Sequence, residues 1–256
     1  MPFKPVQSEK LSQSVIKQIE LLILRGILRP GERLPSEREL SEKMGVSRPS
    51  LREAIAKLQK DGLLESRASS GIYISDTLNA IFPAPLTKLF SSHDEAVFDY
   101  LDFRRDMEGL AGERAAKFGS DTDLQVINEI FLKMQAAHTK RDPSTESALD
   151  AEFHLAIVEA SHNVVMLHMM RSMFGLLREG VFYNRQVMFK QRTTRSALLD
   201  QHSAINTALQ ARDAEATRAA IEHHLKYVES SMLDQKKSEH NQEVARLRLK
   251  HEQTRG

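Results

Sequence analysis

The chain has no cysteine anywhere in its 256 residues. That excludes a disulfide framework, a thiolate metal site and a cysteine nucleophile. No apolar run approaches the roughly 20 residues a helix needs to span a bilayer, and the first residues lack the basic, apolar and small-residue regions of a secretory signal. These absences predict a cytoplasmic protein with no membrane partner. Glycine and proline are few, 11 and 8, and strand-forming patterns nearly disappear beyond residue 92. Most of the chain is therefore expected to be helical. Neither a nucleophile elbow nor a phosphate-binding glycine loop occurs.

What is present suits a protein with a real core: 41% of residues are hydrophobic and 28% charged. The formal net charge is only +1, but it is uneven. Residues 1–77 carry 13 Lys and Arg against 10 Asp and Glu, and the rest 23 against 25. The small basic excess lies in the N-terminal part.

Residues 1–9 read as a loose arm. Leu11, Val15, Ile19, Leu22 and Ile23 recur at helical spacing up to Gly26. Ser36 followed by Glu39 predicts a capping box at the start of a short helix that Gly45 stops. Ser47 caps the next helix, whose inner face is Leu51, Ile55 and Leu58. Leu63–Ser66 and Ile72–Ser75 are β-prone, with a hairpin tip at residues 67–71 between them. Two short helices, a tight turn and a small hairpin make a winged helix-turn-helix. The expected fold is mainly α: this winged domain over 1–77, a linker over 78–92 containing Pro83 and Pro85, an all-helical bundle over 93–233, and a charged tail over 234–256.

A recognition helix exposes donors on one face while the other packs down. Arg48 and Arg52, four residues apart, lie opposite Leu51, Ile55 and Leu58 near the helix start. Arginine forks fit guanine edges or phosphate oxygens. Ser47 and Ser50 share that first turn, Arg38 on the preceding helix can reach the backbone, and Ser69 and Gly71 at the wing tip can enter the minor groove. The partner this predicts is double-stranded operator DNA. Spacing alone equally fits arginines on a solvated face.

In the helical half, Asp150 and His154 are four apart and share one helical face with Ile157 and Val158. His202 sits with Leu198, Ile205 and Leu209, and His224 with Ala220 and Val228. Three imidazoles and a carboxylate on inward faces suit one divalent ion, such as zinc, nickel or manganese. His223 competes with His224 for the last position, and core histidines with a capping aspartate would show the same pattern. His162 and His168 read as structural or surface residues.

The stretch Arg29-Pro-Gly-Glu-Arg-Leu-Pro-Ser-Glu-Arg-Glu-Leu40, followed by Gly45-Val-Ser-Arg-Pro-Ser-Leu-Arg-Glu-Ala54, resembles the signature of GntR-superfamily transcription regulators. The C-terminal half resembles the helical sensor (FCD) domain of their FadR-type branch. By that resemblance Arg38, Arg48 and Arg52 match DNA-contacting arginines. Ser69 stands where the family usually has glycine. Asp150, His154 and two histidines 22 residues apart, His202 and His224, match the metal-ligand pattern of sensor domains that bind metal, zinc first among the candidates. Arg104 in Leu101-Asp-Phe-Arg-Arg-Asp-Met-Glu108 matches a carboxylate-binding arginine, with Arg105 as its rival and an intrahelical pair with Glu108 as the plainer alternative. Phe153–Asn163 resembles regulators that respond to lactate, glycolate or pyruvate. The resemblance thus implies a homodimeric repressor that senses a small 2-hydroxy or 2-oxo monocarboxylate. A metal-dependent hydrolase built on the same Asp and His cluster is the competing reading. It needs a general base, for which Glu152 and Glu159 are nearest in sequence.

Overall fold

The structure is a computed structural model and describes residues 11–67, 71–79, 82–178 and 192–254. The chain divides into two compact units, one ending at Pro83 and one beginning at Ala84.

The first unit opens with α1 (Leu11–Leu24), which buries Val15, Ile16, Ile19 and Ile23 along one stripe. Gly26 follows with φ 74°, a left-handed conformation that costs glycine nothing. Helix α2 (Glu37–Met44) starts at Ser36, whose hydroxyl accepts the Glu39 amide at 3.3 Å. Only this half of the expected capping box is observed. The Glu39 carboxylate instead pairs with Lys43, one turn on, at 2.8 Å. Gly45, at φ 64°, ends α2 and donates to the carbonyls of Ser41 and Glu42. Helix α3 (Arg48–Lys60) is capped by Ser47, has Pro49 in its first turn, and buries Leu51, Ala54, Ile55 and Leu58.

Strands β1 (Leu64–Arg67) and β2 (Gly71–Ile74) pair antiparallel, with Leu64 opposite Ile74 and Arg67 opposite Gly71. Residues 31–34 run beside β2: the amides of Gly31 and Leu34 donate to Ile74 and Ile72, and Ile74 donates to Glu32. Leu34, Leu64 and Ile74 close the core formed by α1 and α3. The unit is a winged helix-turn-helix.

The second unit is entirely helical among the described residues. Helix α4 (Ala84–Ser92) occupies part of the expected linker. Pro85 is tolerated there because it falls in the first turn, where an amide hydrogen has no intrahelical partner. There follow α5 (Asp94–Phe118), α6 (Asp121–Lys140), α7 (Pro143–Ala160), α8 (Val164–Arg178), α9 (Arg192–Gln210) and α10 (Ala214–Thr254). A full capping box between Ser120 and Asp123 starts α6. Helix α8 is described as far as Arg178, and residues 179–191 lie outside the described residues. The charged segment expected as a tail from 234 is, up to Thr254, a continuation of α10. It contains neither glycine nor proline to stop the helix.

Helix α5 packs closely on α10. A Cβ added at Gly112 would stand 2.3 Å from Ile221 Cδ1, so glycine permits the approach. One core cluster joins α5, α6, α7, α9 and α10 through Ala115, Phe131, Phe153, Ile205 and Ile221. A second joins α5, α7 and α8 through Tyr100, Val158, Met170 and Phe174. Among the described residues, no helix is long and apolar enough to cross a membrane.

Candidate functional site

Between these clusters the bundle holds charged side chains. Helix α7 places Asp150 and His154 one turn apart on its inner face, α9 contributes His202 and α10 His224. All four are buried, and each offers one ligand atom within 4.8 Å of the others. His202 Nε2 lies 3.0 Å from Asp150 Oδ1 and 3.3 Å from His154 Nε2. The rings of His202 and His224 are 4.4 Å apart between centroids, and the Phe153 ring meets His202 edge-on at 5.3 Å. His223, the rival for the last position, is exposed on the other side of α10. His162 is exposed and bonded to Asp123 at 3.0 Å, and His168 lies on α8 outside the cluster.

The outer nitrogens set the inner ones. His154 Nδ1 lies 2.6 Å from Glu108 Oε2, and His224 Nδ1 lies 2.9 Å from Gln201 Oε1. Gln201 Oε1 is an acceptor, so the proton sits on His224 Nδ1 and its Nε2 keeps its lone pair; His154 Nδ1 meets Glu108 Oε2 as a close ion-pair contact. Burial lowers the His154 pKa, although Glu108 and Asp150 oppose it. Burial and the two neighbouring imidazoles hold His224 well below the usual histidine range. Burial thus favours the neutral ring of His154 and of His224, the form that ligates metal. Three imidazoles and a carboxylate oxygen gathered in one buried spot can offer their lone pairs to a single cation. The donor set fits a borderline divalent ion such as zinc, with its outer nitrogens held as metal-binding histidines require.

Arg104, on α5, is 1% exposed, and its Nε lies 2.5 Å from Glu108 Oε1. The guanidinium faces the rings of Phe174 and Tyr100 at 5.2 and 5.9 Å. The intrahelical pair with Glu108 is thus present, but in the interior beside His154 and not on the surface. Burial alone would raise the Glu108 pKa, yet the Arg104 charge and His154 hold it at about 2. Arg105 turns outward to Asp102 at 2.8 Å and Glu229 at 3.6 Å.

Sequence reasoning did not find the contact of Glu108 with His154 or that of Gln201 with His224. It also missed the buried pair of Glu146 with Arg195 at 2.6 Å, in which Arg195 also donates to the His138 carbonyl at the end of α6. Of the bases a hydrolase would need, Glu152 is exposed and Glu159 is bonded to Arg171 at 2.6 Å.

In the first unit, Arg38, Arg48 and Arg52 are all exposed. Arg52 pairs with Glu37 at 2.7 Å and Arg38 with Glu42 at 3.4 Å. The Ser47 hydroxyl accepts the Ser50 amide at 3.3 Å and bonds the Ser50 hydroxyl at 2.9 Å. Gly71 opens β2 at φ 115°, where a Cβ would come within 3.0 Å of Arg33 Nε. Ser69 lies outside the described residues. Arg67, expected at the start of the wing tip, is the last residue of β1 and lies over the Tyr73 ring at 4.5 Å.

Comparisons with known proteins agree with this architecture. Residues 11–74 match the profile of bacterial regulatory proteins of the gntR family, and residues 99–227 match the FCD domain. The chain is 37% identical to the "Putative L-lactate dehydrogenase operon regulatory protein" of Escherichia coli K12, covering 89% of this chain and 88% of that one. It is 33% identical to the Glc operon transcriptional activator of the same strain, over 88% and 89%. Identity to the HTH-type transcriptional regulator LutR of Bacillus subtilis 168 is 31%, over 81% and 94%. In fold it is similar to a Streptococcus agalactiae GntR protein, at TM-score 0.50 and 24% identity over 85% of this chain and 98% of that one. The chain belongs to the gntR family of bacterial regulatory proteins, in the branch that carries an FCD domain, and is a DNA-binding transcription regulator rather than an enzyme.

Proposed function

We propose that the chain is a cytoplasmic, homodimeric repressor that senses a small 2-hydroxy or 2-oxo monocarboxylate such as lactate, glycolate or pyruvate. In this reading residues 1–77 bind the operator, 93–233 bind the effector, and 78–92 connect them. Arg48 and Arg52 on α3 read base edges, Arg38, Ser47 and Ser50 hold the backbone, and Ser69 and Gly71 bring the wing to the groove. Asp150, His154, His202 and His224 hold a divalent ion, zinc first among the candidates. That ion supplies a positive centre to which a carboxylate and its neighbouring oxygen bind together. Arg104 orients the carboxylate with a planar fork.

The observation that carries the reading is the convergence of four buried donors beside a buried arginine, joined through Glu108. The printed names of the relatives support the effector class: one concerns an L-lactate dehydrogenase operon and another the Glc operon. An effector can alter DNA affinity only through unequal affinity for two arrangements of the molecule. The test is thermal unfolding with lactate, glycolate and pyruvate, before and after treatment with a chelator. A ligand of the folded state raises the melting temperature by mass action. The reading expects a rise that disappears with the chelator. A rise of equal size after metal removal overturns the metal's part in it, and no rise with any of the three overturns the effector class.

A further inference from the structure

Helix α10 has a second part that the candidate site does not use. Its first part lies antiparallel on α5: Arg218 meets Glu113 at 3.2 Å, and Glu229, further along, meets Arg105 at 3.6 Å. Met232 is the last buried residue of α10 among those described, and the helix then continues exposed through Leu233–Thr254. At a rise of about 1.5 Å per residue that stretch is about 33 Å long. Because α5 and α10 are antiparallel, it runs on beyond the start of α5. To that terminus α4 and, before it, the DNA-binding unit are joined.

The stretch also differs in charge. Residues 78–232 carry 17 Lys and Arg against 21 Asp and Glu, whereas residues 233–256 carry 6 against 4. From Val244 onward Arg246, Arg248, Lys250 and Arg255 stand against Glu252 alone. On the bundle, Arg105, Lys117, Arg212 and Arg218 each meet a carboxylate. Arg246, Arg248 and Lys250 are exposed and make no ion pair among the described residues. Arg246 and Lys250 stand one turn apart, a like-charge spacing that destabilises a helix, and no packed face offsets it. A continuous apolar seam for a second copy is missing: Leu247 and Leu249, 62% and 60% exposed, lie two residues apart and so on different sides, and Lys250 and His251 follow Leu247 one turn on. We infer that this basic end of α10 is a second DNA-contacting element, in which Arg246, Arg248 and Lys250 take phosphates of the duplex bound by the winged unit and read no bases. Phosphate oxygens are the anion such exposed cations fit, and DNA is the partner the family already supplies. The inference stands apart from the metal-and-carboxylate reading.

The test uses the full chain and two duplexes, one carrying the operator with long flanks and one of unrelated sequence. Binding is titrated over a range of salt concentrations for wild type, for Arg246→Gln with Arg248→Gln and Lys250→Gln, and for Arg246→Lys with Arg248→Lys. A chain ended after Asp234 keeps every buried residue of α10 among those described and serves as an independent variant. Each phosphate contact contributes about 0.9 to the slope of log affinity against log salt. The neutral triple variant and the shortened chain are expected to make the slope shallower by about 2–3 on both duplexes. The ratio of operator affinity to unrelated affinity should not change, because phosphates carry no sequence. The lysine variant keeps the charge and should keep the slope. An unchanged slope in the neutral variant and the shortened chain overturns the proposal. So does a loss confined to the operator duplex, because bases would then be read, and so does a lysine variant that loses as much as the neutral one. Sedimentation of each protein without DNA completes the test: assembly that changes with the neutral variant assigns the stretch to contact with a second copy and also overturns it.

Discussion

Gln201 Oε1 accepts the Nδ1 proton of His224 at 2.9 Å, from the residue immediately before His202 on α9. One short stretch of α9 thus supplies a cluster histidine of its own and orients the histidine of α10. Partners of this kind fix the tautomer and ring direction of a ligand, and their loss costs about 10–100-fold in metal affinity. Gln201→Ala is expected to weaken zinc binding by about that factor while leaving the fold intact. Competition with a chromogenic chelator checks it. Unchanged zinc affinity in the folded variant would contradict the role given to Gln201.

The buried pair of Arg195 and Glu146 ties α9 to the start of α7 and, through the His138 carbonyl, to the end of α6. Arg195→Met strands a buried carboxylate and is expected to destabilise the second unit by about 3–5 kcal/mol. Adding Glu146→Leu removes the stranded charge and should restore most of that loss. Denaturant unfolding of both variants measures the difference. Equal stability of the two would contradict a buried, mutually compensating pair.

On α3, Arg52 faces solvent and pairs with Glu37 of α2. A surface pair of this kind contributes about 0–1 kcal/mol, so Arg52→Ala should leave unfolding nearly unchanged. Operator binding should weaken by about 1–3 kcal/mol if the guanidinium makes a bidentate contact to a base. Titration of labelled operator at fixed salt checks it. Full affinity in the folded variant removes Arg52 from the reading helix.

Much of this architecture was legible in the residues. The stripe Val15, Ile19 and Ile23 gave α1, and Ser47 with Leu51, Ile55 and Leu58 gave α3 and its buried face. The spacing of Asp150 to His154 placed both on one face of α7, because a helix returns to the same side after four residues. Other features depend on packing, which no local pattern encodes. Glu108 looked like a partner for Arg104 because the two are one turn apart. Its contact with His154 exists only because α5 and α7 lie side by side. Helical spacing left His223 and His224 as rivals, which only the 22-residue family spacing separated; in the fold His224 is buried and His223 exposed. Pro83 and Pro85 suggested a linker, yet proline in a first turn does not prevent α4. The segment after 234 lacks apolar anchors but also lacks helix breakers, and α10 runs through it.

In the proposed function one buried cluster binds metal, a neighbouring arginine binds the carboxylate, and the two together control DNA affinity. The most direct measurement follows operator release by lactate, with zinc content, in His202→Ala and Arg104→Ala side by side with wild type. The account predicts that His202→Ala loses zinc and response together while still binding operator. It predicts that Arg104→Ala keeps zinc, binds operator and no longer responds at the lactate concentration that suffices for wild type. An Arg104→Ala protein that releases operator at the wild-type concentration, or a His202→Ala protein that holds zinc fully against the chelator, would contradict it.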